Sequence, residues 1–350
     1  MHDTPSMQTV CSVPAKLILS GEHSVLYDCS ALSMAIKLFT HCECRFTPCS
    51  PNQSSVTIEL SDFNEKHAFP QPVWQHLATS IETRYQLFLN KNAAIQSVLS
   101  KPIDLIIVTL HHFDVFHTIK SGHWHFKIHS EVPIGKGLGS SASVILSVLV
   151  SLLKLHEVEL EKETLLALAR KIESRQHGQS SGIDPATMIY GGLLEFHSHH
   201  STKQFDSHKF KAWLIDTGAP VSSTGQAVSH VHQEFSKDKA LWESFEKTTQ
   251  KIHQAWSIQN SQQFYEGIQE NQTLLEKIGV VPAKVSTFIA ELKSDYNAVA
   301  KVCGSGSIKG DHAGVVICFS EQEPKELCAK YDYTCRAINV SNEGPVCHQN

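Results

Sequence analysis

Alternation and short apolar runs dominate the first sixty residues. Residues 8–19 alternate apolar and polar side chains and then turn wholly apolar at Leu17-Ile18-Leu19, as a strand entering a core does. Ser20-Gly21-Glu22-His23 breaks the run as a polar turn, and further strands are expected over 24–27, 31–36, 41–47 and 56–60. The period changes at Trp74. Apolar residues at 74, 77, 78, 81, 85, 88 and 89 predict a helix, and Leu105-Ile106-Ile107-Val108 predicts a strand over 104–111. A strand over 124–132 is followed by a glycine-rich turn and by 143–156, an apolar stretch without Gly or Pro that predicts a buried helix. A second helix is expected over 161–176, with Leu165, Leu166, Leu168, Ala169 and Ile172 inward, then a small-residue loop, a short helix and a strand over 192–196. The polar stretch 197–209 is the best linker candidate. Beyond it a strand over 211–216 precedes a mainly helical region, in which Val285, Phe288, Ile289 and Leu292 keep i, i+3, i+4, i+7 spacing. Strands over 314–319 and 334–340 close the chain. This mixture predicts an α+β (mixed α/β) fold in two halves, 1–205 and 206–350.

Composition changes this picture little. A chain of 350 residues is long enough for two domains, and a formal net charge of −5 argues against nucleic acid or an anionic membrane as the main partner. No signal-peptide pattern opens the chain, and the longest nearly apolar run, 144–153, is too short to cross a bilayer, so the expected location is the cytoplasm. The ten cysteines never form Cys-x-x-Cys and read as free thiols, and the 22 histidines show no ligand spacing.

Candidate chemistry centres on Pro133-Ile134-Gly135-Lys136-Gly137-Leu138-Gly139-Ser140-Ser141-Ala142. Glycines at a strand-to-helix turn let backbone come close to an anion, and free N–H groups at the helix start would face it. Two serines add hydroxyls for phosphate or a metal. The spacing is neither a P-loop nor the dinucleotide fingerprint.

This cradle stands between two other stretches, Pro14-Ala15-Lys16 through Gly21-Glu22-His23-Ser24-Val25-Leu26-Tyr27 and the Gly304-Ser305-Gly306 loop. The ordered trio resembles the GHMP small-molecule kinases, and covers most of the chain. Within that superfamily, Gly-Glu-His followed by Ser-Val-Leu-Tyr, Ser180-Ser181-Gly182-Ile183-Asp184 before Gly191-Gly192, Asp216-Thr217-Gly218-Ala219-Pro220-Val221-Ser222-Ser223-Thr224, and Asn271-Gln272 resemble the mevalonate kinase family. The resemblance implies an ATP-binding N-terminal domain, a C-terminal α/β domain and an active site in the cleft between them. It implies ATP and Mg²⁺ as cofactors and a mevalonate-like hydroxy acid as acceptor, phosphorylated on its primary hydroxyl. Homodimerisation stays open.

By the same resemblance Asp184 is the general base, although Asp before Pro185 equally suits a helix N-cap. Lys16 would sit beside it and favour the developing alkoxide. Glu173 and Ser141 would ligate Mg²⁺. Glu22, His23 and Thr224 would line the acceptor site. Pro133, Gly135, Lys136, Gly137, Leu138, Gly139, Ser140, Ser141, Ala142, Gly304 and Gly306 would hold the nucleotide. Two departures from the family pattern stand out: the third loop runs Gly304-Ser305-Gly306-Ser307-Ile308-Lys309, longer and more charged, and Lys136 occupies a position where a small residue is usual. Lys136 or Lys309 is therefore expected to supply a cation to the triphosphate. The rivals are another GHMP kinase, such as a phosphomevalonate or sugar kinase, and a catalytically inactive nucleotide-binding regulator. A phosphorylated acceptor would want extra basic residues between Glu22 and Lys37, where there are none.

Overall fold

The N-terminal alternation produces a 14-residue strand, β1 (Met7–Ser20), in the computed structural model, which describes residues 6–197, 200–205 and 210–349. β1 pairs antiparallel with β2 (Ala31–Pro48), one continuous strand where the sequence reading expects two. The residues between the two expected strands, Lys37-Leu38-Phe39-Thr40, keep the alternation, and a register shift after Pro14 lets the long ladder bend there. β3 (Ser55–Leu60), β4 (Glu65–Pro70), β5 (Gly122–Ser130), β6 (Leu193–His197), β7 (His200–Phe205) and a C-terminal β12 (Val346–Gln349) complete the first sheet, in the order β12-β1-β2-β5-β3-β4 with β6 and β7 extending from β2. Helices α1 (Gln71–Leu89), α2 (Pro102–Phe116), α3 (Ser140–His156), α4 (Lys162–His177) and α5 (Ile183–Tyr190) pack on it, sharing a core that includes Ile58, Ile81, Ile107, Phe113, Phe126 and Leu149.

The second sheet is antiparallel, ordered β11-β8-β10-β9, from β8 (Ala212–Asp216), β9 (Val299–Cys303), β10 (Val315–Phe319) and β11 (Thr334–Ile338). Its helices are α6 (Thr224–Phe235), α7 (Lys239–Ser257), α8 (Ser261–Lys277), α9 (Ala283–Tyr296) and α10 (Lys325–Tyr331). One apolar cluster joins Leu17, Leu19 and Met34 of the first sheet to Leu214, Ile317 and Ile268 of the second half, so the ends of β1 and β2 are buried from both sides.

Four expectations are corrected. Residues 24–27 form a turn of 3₁₀ helix, not a strand: the backbone reverses at Asp28, which adopts the left-handed conformation, and Leu26 is left exposed. Residues 104–111 lie inside α2. Four branched apolar residues in a row suit a strand or a helix buried on most sides. Here Pro102 sits in the first turn and the Asp104 carboxylate accepts from the Ser100 and Lys101 N–H groups at 2.8 and 3.3 Å, which starts a helix. The expected linker includes β7, which pairs with β6, while residues 198–199 and 206–209 of that stretch lie outside the described residues. Cys11 and Cys347 are not free thiols. They face each other across β1 and β12 and form a disulfide, a pairing that 336 residues of separation hide from any local motif.

Candidate active site

β1 carries Lys16 to the floor of a cleft, and α5 carries Asp184 to meet it, with Lys16 Nζ 3.0 Å from Asp184 Oδ1. The capping alternative for Asp184 does not hold. Gly182 occupies the N-cap, Asp184 lies in the first helical turn, and its carboxylate is turned to the lysine. The cradle closes over this pair. Gly139 has φ +76° and forms the N-cap of α3, and a Cβ built on it would lie 3.1 Å from both Asp184 Oδ2 and Lys16 Cγ. The Lys16 N–H also donates to Leu138 O at 3.2 Å, so backbone as well as side chain ties β1 to the cradle.

Lys16, Glu22, Gly135, Gly137, Gly139, Ser140, Ser141, Glu173, Asp184, Thr224 and Gly304 converge on this one cleft of about 360 Å³. Lys136 and Gly306 line a smaller cavity of about 110 Å³ beside it, together with Thr224. Leu138 and Ala142 are buried beneath the loop, and Pro133 is half-buried at its start. Thr224 is not an N-cap. Ser223 takes that role with a reciprocal Gln226 contact, leaving Thr224 Oγ1 to accept from Ser305 Oγ at 3.2 Å across the cleft mouth. His23 is fully buried, with Nε2 3.1 Å from Ser305 O, and burial takes its pKa down to about 4, so it is a neutral brace for the third loop at pH 7. Lys136 is ion-paired with Asp216 at the end of β8, so its cation is shared with a carboxylate; Lys309 is exposed.

Glu173, from the last turns of α4, is buried near Asp184 and accepts from Ser180 Oγ. Burial and the neighbouring Asp184 charge push its pKa up to about 8. Two close carboxylates with little solvent form a site that gains from a cation. No cluster of three or more His, Cys, Asp or Glu occurs among the described residues, so a metal here would lean on hydroxyl, water or substrate oxygens.

A larger, mostly apolar cavity of about 460 Å³ adjoins the cleft. Leu99, Leu105, Ile106 and Val144 form its walls, and Ile134, Ser140, Ser141 and Gln176 line both spaces. Sequence reading leaves this pocket unassigned, because α2, read as a strand, supplies one wall.

Sequence reading also misses Lys301. It lies in the wholly buried β9, its Nζ donates to Glu22 and, at 3.4 Å, to Ile18 O, and its side chain is 0% exposed. The signal was present: one charged residue in the run Val299-Ala300-Lys301-Val302-Cys303 needs a buried partner. Asn271 and Gln272 frame the pair. Asn271 Nδ2 donates to Ser20 Oγ at 2.9 Å and Gln272 Oε1 accepts from the Val302 N–H at 2.9 Å.

Comparison with known proteins agrees with this geometry. Residues 104–192, from α2 to the start of β6, match the GHMP kinases N terminal domain. A mevalonate kinase of Thermococcus onnurineus is 28% identical over 312 residues, covering 86% of this chain and 87% of its own. One of Pyrococcus abyssi is 29% identical over 308 residues, covering 85% of each chain. The crystal structure of the Methanococcus jannaschii mevalonate kinase superposes with a TM-score of 0.77 at 22% identity, covering 95% of this chain and 98% of that one. Residues 104–192 are thus similar to the GHMP kinases N terminal domain, and over most of its length the chain is similar in sequence to mevalonate kinases and shares their fold.

Proposed function

We propose that this chain transfers the γ-phosphoryl group of ATP to the primary hydroxyl of mevalonate, forming 5-phosphomevalonate. The observation that carries this reading is the Lys16–Asp184 pair, 3.0 Å apart beneath the glycine cradle. The acceptor hydroxyl donates its proton to Asp184 as its oxygen bonds to phosphorus, while the Lys16 ammonium favours the negative charge developing on that oxygen. Phosphoryl transfer asks little more of a protein than alignment and charge stabilisation. The ATP phosphates rest on the N-terminus of α3, where Gly139, Ser140 and Ser141 present backbone N–H groups and hydroxyls. The purine enters the apolar cavity of about 460 Å³, which opens onto those serines. Glu173 and Ser141 would hold Mg²⁺: both line the cleft, and burial beside the Asp184 charge raises the Glu173 pKa, a rise that a divalent cation there would oppose. When bound, Mg²⁺ neutralises phosphate charge.

The two sheets support a division into domains 1–205 and 206–350, apart from β12, which pairs with β1 in the first sheet. No helix among the described residues is long and apolar enough to cross a membrane, and dependence on ATP fits the cytoplasm.

The test is ATP turnover with Mg²⁺ against mevalonate, phosphomevalonate, galactose, homoserine and no acceptor. Mevalonate-dependent ADP release is expected, and Asp184→Asn should lower kcat about 10²- to 10⁴-fold with ATP affinity kept. Turnover confined to another acceptor, or an unimpaired Asp184→Asn, refutes the reading.

A further inference from the structure

Lys301 is not among the residues lining the cleft, but it is ion-paired with Glu22, which is. Both it and Glu22 have fully buried side chains. Such a pair adds little net stability, because lost hydration offsets the attraction. One Glu22 oxygen, Oε1, is held by Lys301; the other, Oε2, is buried and has no partner. An unmet buried acceptor is costly unless something that binds there completes it. Glu22 lines the same cleft as Lys16 and Asp184. Buried hydrogen bonds hold the chain around the pair: Ser20 Oγ, two residues before Glu22, accepts from Asn271 Nδ2 and lies 2.6 Å from Thr249 Oγ1, and Gln272 Oε1 accepts from the Val302 N–H next to Lys301. Burial raises the Glu22 pKa, and Lys301 is the chief group opposing that rise, with Lys16 a smaller one. The other titratable groups close by are His23, whose pKa burial lowers, and the buried Cys303 thiol.

We propose that Lys301 is a positioning residue: it clamps one oxygen of Glu22 so that the other accepts a hydrogen bond from a second hydroxyl of the acceptor, remote from the one phosphorylated. The inference rests on the kinase reading above and adds a rule of selection to it. An acceptor with a donor at that place completes Glu22; one with only a hydrocarbon there leaves a buried carboxylate oxygen unmet. For mevalonate the donor is its tertiary hydroxyl, since the carboxylate end would be repelled by Glu22.

The experiment crosses two substrates with two enzymes. Mevalonate and its analogue with hydrogen in place of the tertiary hydroxyl, 5-hydroxy-3-methylpentanoate, are each assayed with wild type and Lys301→Met, reading kcat/KM for the acceptor and KM for ATP. Wild type should favour mevalonate by about tenfold or more, the scale of a hydrogen bond to a charged group. Lys301→Met should lose most of that preference, with KM for ATP within about twofold of wild type, a split that a general loosening of the fold would not give. If Lys301→Met does not fold, Lys301→Met combined with Glu22→Gln removes both charges and should fold with the same loss of preference. An active variant that keeps the full wild-type preference overturns the inference and leaves the kinase reading intact. A folded wild type with no turnover of mevalonate overturns both.

Discussion

Gly139→Ala tests whether the cradle and the Lys16–Asp184 pair are one packed unit. The residue adopts φ +76°, where a side chain costs about 1–2 kcal/mol. The new methyl would also lie 2.6 Å from Met188 Cε and 3.1 Å from Asp184 Oδ2 and Lys16 Cγ. Overpacking of this kind costs about 1–3 kcal/mol, so the total is about 2–5 kcal/mol. Gly135→Ala is the control. Its φ is +72°, but nothing lies within 4 Å of the position a Cβ would take, so it carries the backbone cost alone. Urea unfolding without ATP should therefore place Gly139→Ala about 1–3 kcal/mol below Gly135→Ala. Because the methyl meets both members of the Lys16–Asp184 pair, kcat should also fall by about 10- to 100-fold, the penalty for small misplacement of reacting groups. Equal stabilities for the two variants, with kcat of Gly139→Ala within twofold of wild type, would refute the reasoning.

Two further predictions concern the scaffold. Glu82 accepts from Arg175 Nε and Nη2 at 2.9 and 2.7 Å and pairs with the buried His112 at 3.1 Å. Burial alone would raise its pKa, but bonds from His112 and Arg175 outweigh that and take it down from 4.5 to about 2. Its contribution is thus complete above pH 4.5 and lost as pH falls through about 2; Glu82→Gln should lower the melting temperature near neutral pH and flatten its fall across that window, and a parallel acid profile would refute this. Reduction of Cys11–Cys347 should lower stability by roughly 2–5 kcal/mol, and a melt unchanged by reductant, with thiol alkylation confirming reduction, would show that strand pairing alone holds β12.

The glycine cradle was legible because its pattern is local in sequence. Glycines at 135, 137 and 139 announce a turn by themselves, whereas Lys16, just before the apolar run Leu17-Ile18-Leu19, and Asp184, after Ser181-Gly182, stand out only through the resemblance to the family. What could not be read locally depends on burial from several sides. In α2 the residues Leu105 to Val108 are all buried and the helix packs on α1, α3 and α4, so no polar stripe marks a helical period, and the strand reading takes the wall of the larger cavity with it. β9 has the opposite difficulty: every residue is buried, so alternation is erased, and the strand was missed along with the lysine it carries.

Lys136 shows a further limit, one of charge. Beside a phosphate loop a lysine invites assignment to the nucleotide, but sequence gives no distance to Asp216, eighty residues on. In the folded chain that carboxylate already engages the ammonium, and it comes from the end of β8 in the second half. The same logic governs Lys301. Each departs from what its surroundings predict, and each is explained by a carboxylate from the other half of the chain. Lysines placed this way couple the two halves around the cleft: the cradle to β8 through Lys136, and the Gly21-Glu22-His23 turn to β9 through Lys301. Lys136 is partly exposed, so solvent screens its pair and little stability depends on it; Lys301 is sealed, and removing its charge strands Glu22 without a partner. Burial, not the presence of an ion pair, is what makes the second contact the more consequential of the two.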